Sequence, residues 1–182
     1  MRKSIALAVL SLLAENLAAY SLWTDPTTGY TWAYEVTGGT VSIVVRGVIG
    51  NGICVSPKPV GNLVIPERIN GMTVTEIRDQ AFNNANGECN GLTSITLPST
   101  IKTIGRQGAF SLCKGLRSLD LSHVMRIEDF SFESCTSLSS VRLSDDLQYI
   151  DYYAFYNFKK EKGNCDANLE TGDLVESDYA KD

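Results

Sequence analysis

Apolar positions between residues 77 and 158 fall into columns, and the columns repeat. Ile77, Ile104, Ile127 and Ile150 begin successive copies, and Phe82, Phe110, Phe132 and Phe155 follow. Cys89, Cys113 and Cys135 form a third column, which Phe158 completes in the last copy. Three residues after each cysteine comes Leu92, Leu116 or Leu138, the start of a six-residue phrase apolar at its first, fourth and sixth positions. The period is about 23 residues, in the range of solenoids. One such copy cannot bury its own apolar side, whereas stacked copies build a continuous core from equivalent residues. The pattern therefore predicts a short parallel strand per copy, with neighbours about 4.8 Å apart. A second apolar phrase, Ile101 to Ile104 and its equivalents, runs back along another side, and the Ala-Phe phrase forms a short helical turn at the corner. Residues 83–88 lengthen one copy and are expected to bulge outward; one extra residue lies between Ile104 and Phe110.

Upstream the period changes to two. Trp32, Tyr34 and Val36 alternate with Thr31, Ala33 and Glu35, and Val41, Ile43 and Val45 follow Gly38-Gly39. Alternation on both sides of Gly-Gly predicts a hairpin. Residues 20–61 are read as this hairpin cap and a linker, covering the open edge of the first turn, since an unpaired edge invites aggregation. Trp23 and Trp32 then pack within the cap. The Gly-, Asn- and Pro-rich residues 48–66 are read as a connecting loop that enters the first strand at Leu63 to Ile65, and residues 62–158 as the repeats. Beyond Phe158 the columns stop, and residues 159–182 are read as a polar, acidic tail with too little apolar surface to order itself. Tyr149, Tyr152, Tyr153, Phe155, Tyr156 and Phe158 make the last copy aromatic, as a lid, a self-association surface or the sign of a shortened array.

Composition changes this picture little. A chain of 182 residues, 43% apolar and 20% charged, has the balance of a soluble globular protein. Residues 1–19 carry Arg2 and Lys3, an apolar run and then small residues, which reads as a secretory signal peptide. The run is too short to span a bilayer, so no integral membrane segment is expected in the mature chain. Net charge is −5; loss of the leader removes two positive charges and one negative, leaving −6. That balance argues against a nucleic-acid partner.

The apolar phrases have the spacing of a leucine-rich repeat, with no Asn after the last Leu and with Ala81-Phe82 or Ala109-Phe110 running on to Cys-x-x-Leu. In this the chain resembles the BspA-like, or Treponema pallidum type, leucine-rich repeat family over about residues 40–158. The expected fold is a short α/β solenoid: a leucine-rich repeat coil of about four turns with parallel strands and an N-terminal β-hairpin cap. The resemblance implies a secreted, extracellular or cell-surface location and a role in adhesion, with a host or extracellular matrix protein as partner.

Candidate chemistry is sparse. Side chains between the buried ones point outward in two rows, Ser94, Ser118 and Ser140, then Thr96, Asp120 and Arg142. These six residues are the candidate protein-binding face, with a glycan as alternative ligand. Cys89, Cys113 and Cys135 should point the same way into the core, where the torsion of a disulfide is hard to reach; free buried thiols are expected. Cys54 and Cys165 lie outside that column and are left to pair with each other or with a partner chain. No Cys-x-x-Cys pair exists and His123 is the sole histidine, so neither a metal site nor a cofactor is expected. Ser122, His123 and Asp120 are neighbours in sequence, which is no basis for a triad. A non-catalytic binding scaffold is the leading reading. A structural or self-assembling protein docking through its aromatic last turn is second, and an enzyme using a surface thiol or carboxylate is third.

Overall fold

Strands in the structure, a computed structural model that describes residues 20–45, 53–85, 87–105, 107–151 and 153–157, are short. In chain order they are β1 (Ser21–Thr24), β2 (Thr31–Thr37), β3 (Thr40–Ile43), β4 (Val55–Ser56), β5 (Gly61–Val64), β6 (Arg68–Ile69) and β7 (Met72–Ile77). Then follow β8 (Leu92–Thr96), β9 (Thr103–Ile104), β10 (Ser118–Leu121), β11 (Arg126–Ile127), β12 (Ser140–Leu143) and β13 (Tyr149–Ile150).

Each repeat contributes to two sheets. β5, β8, β10 and β12 form a four-stranded sheet in which all neighbours are parallel. β7, β9, β11 and β13 are parallel neighbours in a second sheet, where Ile77, Ile104, Ile127 and Ile150 stand opposite one another. Alternation explains the burial: Leu119 and Leu121 on β10 face the core, while Ser118 and Asp120 face out.

The expected hairpin is present. β2 and β3 are antiparallel, with Thr37 opposite Thr40 and both Gly38 and Gly39 at positive φ, the geometry a two-residue loop requires. β3 then pairs in parallel with β7. The Arg78 N–H donates to the Ile43 carbonyl as the Gly105 N–H does to Ile77, so the hairpin occupies the ladder position ahead of the first repeat. β1 and β4 also flank β2. Neither was legible in the sequence, because β1 is largely exposed and β4 has only two residues.

The α component of the expected α/β class is absent: the described residues contain no helix. On the third side, these amides are spent on the next copy instead of on a local helical ladder. Phe82, Phe110 and Phe132 donate to the carbonyls of Ala109, Ser131 and Ala154, each at 2.7 Å. Asn84, Leu112 and Ser134 likewise donate to Ser111, Glu133 and Tyr156 at 2.8–2.9 Å. Gln80, Gly108 and Phe130, each two residues before a column Phe, adopt positive φ, as do Leu112, Ser134 and Asn157 two residues after one. Left-handed residues so placed interrupt any helix.

A stack of rings runs through the core. Phe82, Phe110, Phe132 and Phe155 follow one another with centroids 4.8, 5.3 and 5.0 Å apart, their planes nearly parallel. Trp32 from the hairpin meets Phe82 edge-on at 6.5 Å. Cys54 makes the backbone bond of this aromatic column, its N–H donating to Ala81 at 2.8 Å. It therefore lies outside the cysteine column, as expected, but takes a place in the aromatic one, and its side chain is buried. The lengthened segment after Phe82 is pinned rather than simply bulged. Asn84 is buried; its amide group bonds Asn90 and the Leu112 carbonyl, and its oxygen accepts the Cys89 N–H. Residues 1–19 and 158–182, and with them the expected leader, acidic tail, Phe158 and Cys165, lie outside the described residues.

Candidate functional site

Two residues on each of β8, β10 and β12 make up the candidate face, and parallel register brings them together. Ser118 stands opposite Ser94 on one side and Ser140 on the other, and Asp120 opposite Arg142. Ser118, Ser140, Thr96, Asp120 and Arg142 are exposed, and Ser94 is half-buried. Their placement follows from the buried residues between them, because successive side chains in a strand face opposite ways.

The sequence reading places the first strand at Leu63 to Ile65 but leaves its outward residues off the face. On β5, Asn62 lies opposite Ser94 and Val64 opposite Thr96. The Asn62 Oδ1 accepts the hydroxyls of Ser94 at 2.9 Å and Thr96 at 3.3 Å, so one amide ties the heads of both rows. Val64 is 55% exposed and Val60 68%. The outer row thus passes from an apolar residue through Thr96 to the charged pair Asp120 and Arg142. The signal lay in Asn62-Leu63-Val64, an alternating phrase hidden because its copy lacks the first leucine.

Asp120 also ends its strand. Its Oδ1 accepts the Ser122 N–H at 3.0 Å. Hydrogen bonds from Ser122 hold the carboxyl below its ordinary value, with smaller pulls from the Arg142 and His123 charges. It is an anion at neutral pH, aimed at its own turn, and the neighbouring Ser122 and His123 form no triad with it. His123 is exposed, and its carbonyl accepts Lys102 Nζ at 3.2 Å.

Nucleophilic chemistry finds little support in the thiols. Cys54, Cys89, Cys113 and Cys135 are all fully buried. The Cys113 and Cys135 thiols donate to the carbonyls of Phe82 and Phe110, each at 3.2 Å. A hydrogen bond with Cys89, and then burial, push the Cys113 thiol well up; burial pushes Cys135 up to about 12. Neither is a thiolate near neutrality. Among the described residues no cluster of His, Cys, Asp and Glu is placed to hold a metal ion, and no helix is long and apolar enough to cross a membrane.

A second surface lies at the end of the array. Tyr153 stacks on Phe130 at 5.1 Å and meets Tyr156 edge-on at 5.8 Å. Arg126 sits 4.6 Å over the Tyr149 ring, and the Tyr149 hydroxyl donates to Asp151 at 2.8 Å. That bond to a carboxylate, above all, raises the Tyr149 phenol.

Residues 54–172 match the family model described as BspA type leucine rich repeat region, in six copies. The match begins at Cys54 and runs beyond Phe158, wider at both ends than the columns alone. No curated protein matches the sequence. Among solved structures, a leucine-rich repeat protein of T. pallidum is 26% identical, with a TM-score of 0.44 over 69% of this chain and 64% of that one. A leucine-rich cell surface protein from Faecalibacterium prausnitzii A2-165 is 21% identical, with a TM-score of 0.36 over 75% of this chain and 46% of that one. The chain spans less than two thirds of either.

Proposed function

We propose that this chain, which belongs to the BspA-type leucine-rich repeat family, is a non-catalytic protein-binding scaffold acting outside the cell or at a cell surface, with adhesion to a host or matrix protein as its role. In this reading the two parallel ladders are sides of a short solenoid of about four turns, capped at its start by the hairpin. The observation that carries it is the polar face of the four-stranded sheet. Asn62, Ser94, Thr96, Ser118, Asp120, Ser140 and Arg142 present side chains in register on a backbone fixed by inter-copy hydrogen bonds. Such a surface meets a protein without reorganising, and contacts that need no ordering give affinity at low entropic cost. Export is supported by the leader-like pattern of residues 1–19.

The test is a pull-down from matrix and cell-surface extracts with the chain beginning at Tyr20, beside a variant carrying Thr96→Ala, Asp120→Ala and Arg142→Ala. Because all three residues are exposed, the variant should fold as the parent does. A partner captured by the parent and lost by the variant is the expected result. Capture by both in equal measure would move the contact surface elsewhere, and capture by neither would remove the adhesion reading.

The exposed aromatic end favours a second reading, in which the protein is structural and docks through its last repeat with another copy. Tyr149, Tyr153 and Tyr156 are 37%, 40% and 46% exposed there.

A further inference from the structure

The outer row of the candidate face changes character along its length. Val64, Thr96, Asp120 and Arg142 follow one another on β5, β8, β10 and β12, one residue per strand. At one end Val64 is apolar and yet 55% exposed. A β-branched side chain keeps few rotamers, so Val64 loses little freedom when something packs on it. At the other end the two charges are not equivalent. The Asp120 carboxylate already accepts the Ser122 N–H. Arg142 is exposed and takes part in none of the ion pairs among the described residues. Arg117, exposed one residue before Ser118, adds a second cation on that side. Three strand spacings separate Val64 from Arg142, roughly 14 Å.

We infer that this row takes an extended segment of a partner protein lying across the strands, with an apolar side chain against Val64 and a carboxylate on Arg142. This deepens the protein-binding reading and rests on it. An extended chain rises roughly 3.3 Å per residue, so residues four apart share a side and stand about 13 Å from each other. That span matches the row, and the pattern it selects is apolar-x-x-x-acidic. Charge complementarity sets the direction. The Arg142 guanidinium offers a fork of donors that a carboxylate meets with two bonds, whereas the reversed segment would lay its carboxylate on a valine. Between the two anchors the row is polar and partly held: the Thr96 hydroxyl is engaged by Asn62 at 3.3 Å. The middle of the segment therefore needs no particular side chain, and the two ends carry the selectivity.

The experiment is selection of displayed random peptides on the full chain, followed by binding of the enriched peptides to Val64→Ser, Val60→Ser and Arg142→Glu variants. All three side chains are exposed, and circular dichroism checks that each variant folds. Val60 is the control: at 68% it is the more exposed valine, but it lies at the other end of β5, off the row. The expected peptides carry an apolar and an acidic residue four apart. Val64→Ser should weaken them about tenfold or more, Val60→Ser should leave them unchanged, and selection on Arg142→Glu should replace the acidic residue with a basic one. Peptides that lack the acidic position, or that lose as much with Val60→Ser as with Val64→Ser, overturn the inference, and so does a selection that enriches nothing. In each of these cases the binding reading still stands if the pull-down captures a partner that the triple variant loses. Displacement of the selected peptides by a synthetic peptide of residues 164–182 makes the chain's own acidic end the occupant. A dimer dissolved by Val64→Ser, seen by light scattering, makes the occupant a second copy. Either result overturns the inference.

Discussion

Gly105 shows how little room the ladder leaves for a single residue. A Cβ built there lies 2.8 Å from the Arg78 Cα and carbonyl carbon and from the Ile77 oxygen, all backbone atoms of the preceding copy. The same Ile77 oxygen accepts the Gly105 N–H, so the clash is with the partner that holds the ladder together. Gly105→Ala should lower stability by about 1–3 kcal/mol, read from the urea midpoint. An unchanged midpoint would mean that the two copies separate more easily than the ladder implies. The thiols act at the same scale through pH. Cys113 and Cys135 titrate higher in the folded chain than a free thiol does. Below about pH 7.5, a unit under the ordinary thiol value, both states keep these protons and stability does not depend on them. Above it the unfolded chain ionises first, so stability falls by up to about 1.4 kcal/mol per pH unit per thiol as the pH climbs toward the folded values. Urea midpoints at pH 8.5 and 10 should show this fall, and it should be shallower in a Cys135→Ala variant, however much that variant loses at pH 8.5.

At the scale of the elements, the ring stack joins one repeat to the next. Phe110 is buried between Phe82 and Phe132, whereas Phe155, which stacks on Phe132, is half-buried. Phe110→Ala should therefore cost about 3–5 kcal/mol, a large part of what a domain of this size has, and Phe155→Ala less than half as much. Equal losses by chemical denaturation would show that the stack is not what couples the repeats. The columns that make this prediction were legible in the sequence, because burial demands the same residue type wherever equivalent positions stack. The hairpin was legible too, from alternation on both sides of Gly38-Gly39. The third side was not. Gln80, Phe130 and Leu112 have nothing in their side chains to announce a left-handed backbone; it is imposed by the hydrogen bonds their neighbours make to the next copy. The candidate face was legible only where its copies were regular. Ser94 through Arg142 followed from the leucine spacing, while Asn62 and Val64 belong to a copy whose cysteine-column place and first leucine are missing.

For the whole molecule, contacts run from each repeat to the next, so stability should be distributed along the array and not shared evenly. The amides that join successive copies of one ladder report on this directly: Arg78 to Ile43, Gly105 to Ile77, Glu128 to Ile104 and Asp151 to Ile127. A repeat in the middle is held by two neighbours, and the first gains the hairpin as its second. Among the described residues, β12 and β13 are the outermost strands of their sheets at the far end. Native-state hydrogen exchange should thus find Gly105 and Glu128 most protected, Arg78 close to them, and Asp151 about tenfold or more faster. Raising the protein concentration adds a discriminating step. If copies dock through the aromatic last repeat, protection at Asp151 rises toward that of Glu128 while Arg78 and Gly105 stay as they were. Equal protection of all four amides in the monomer would instead make the array one cooperative unit.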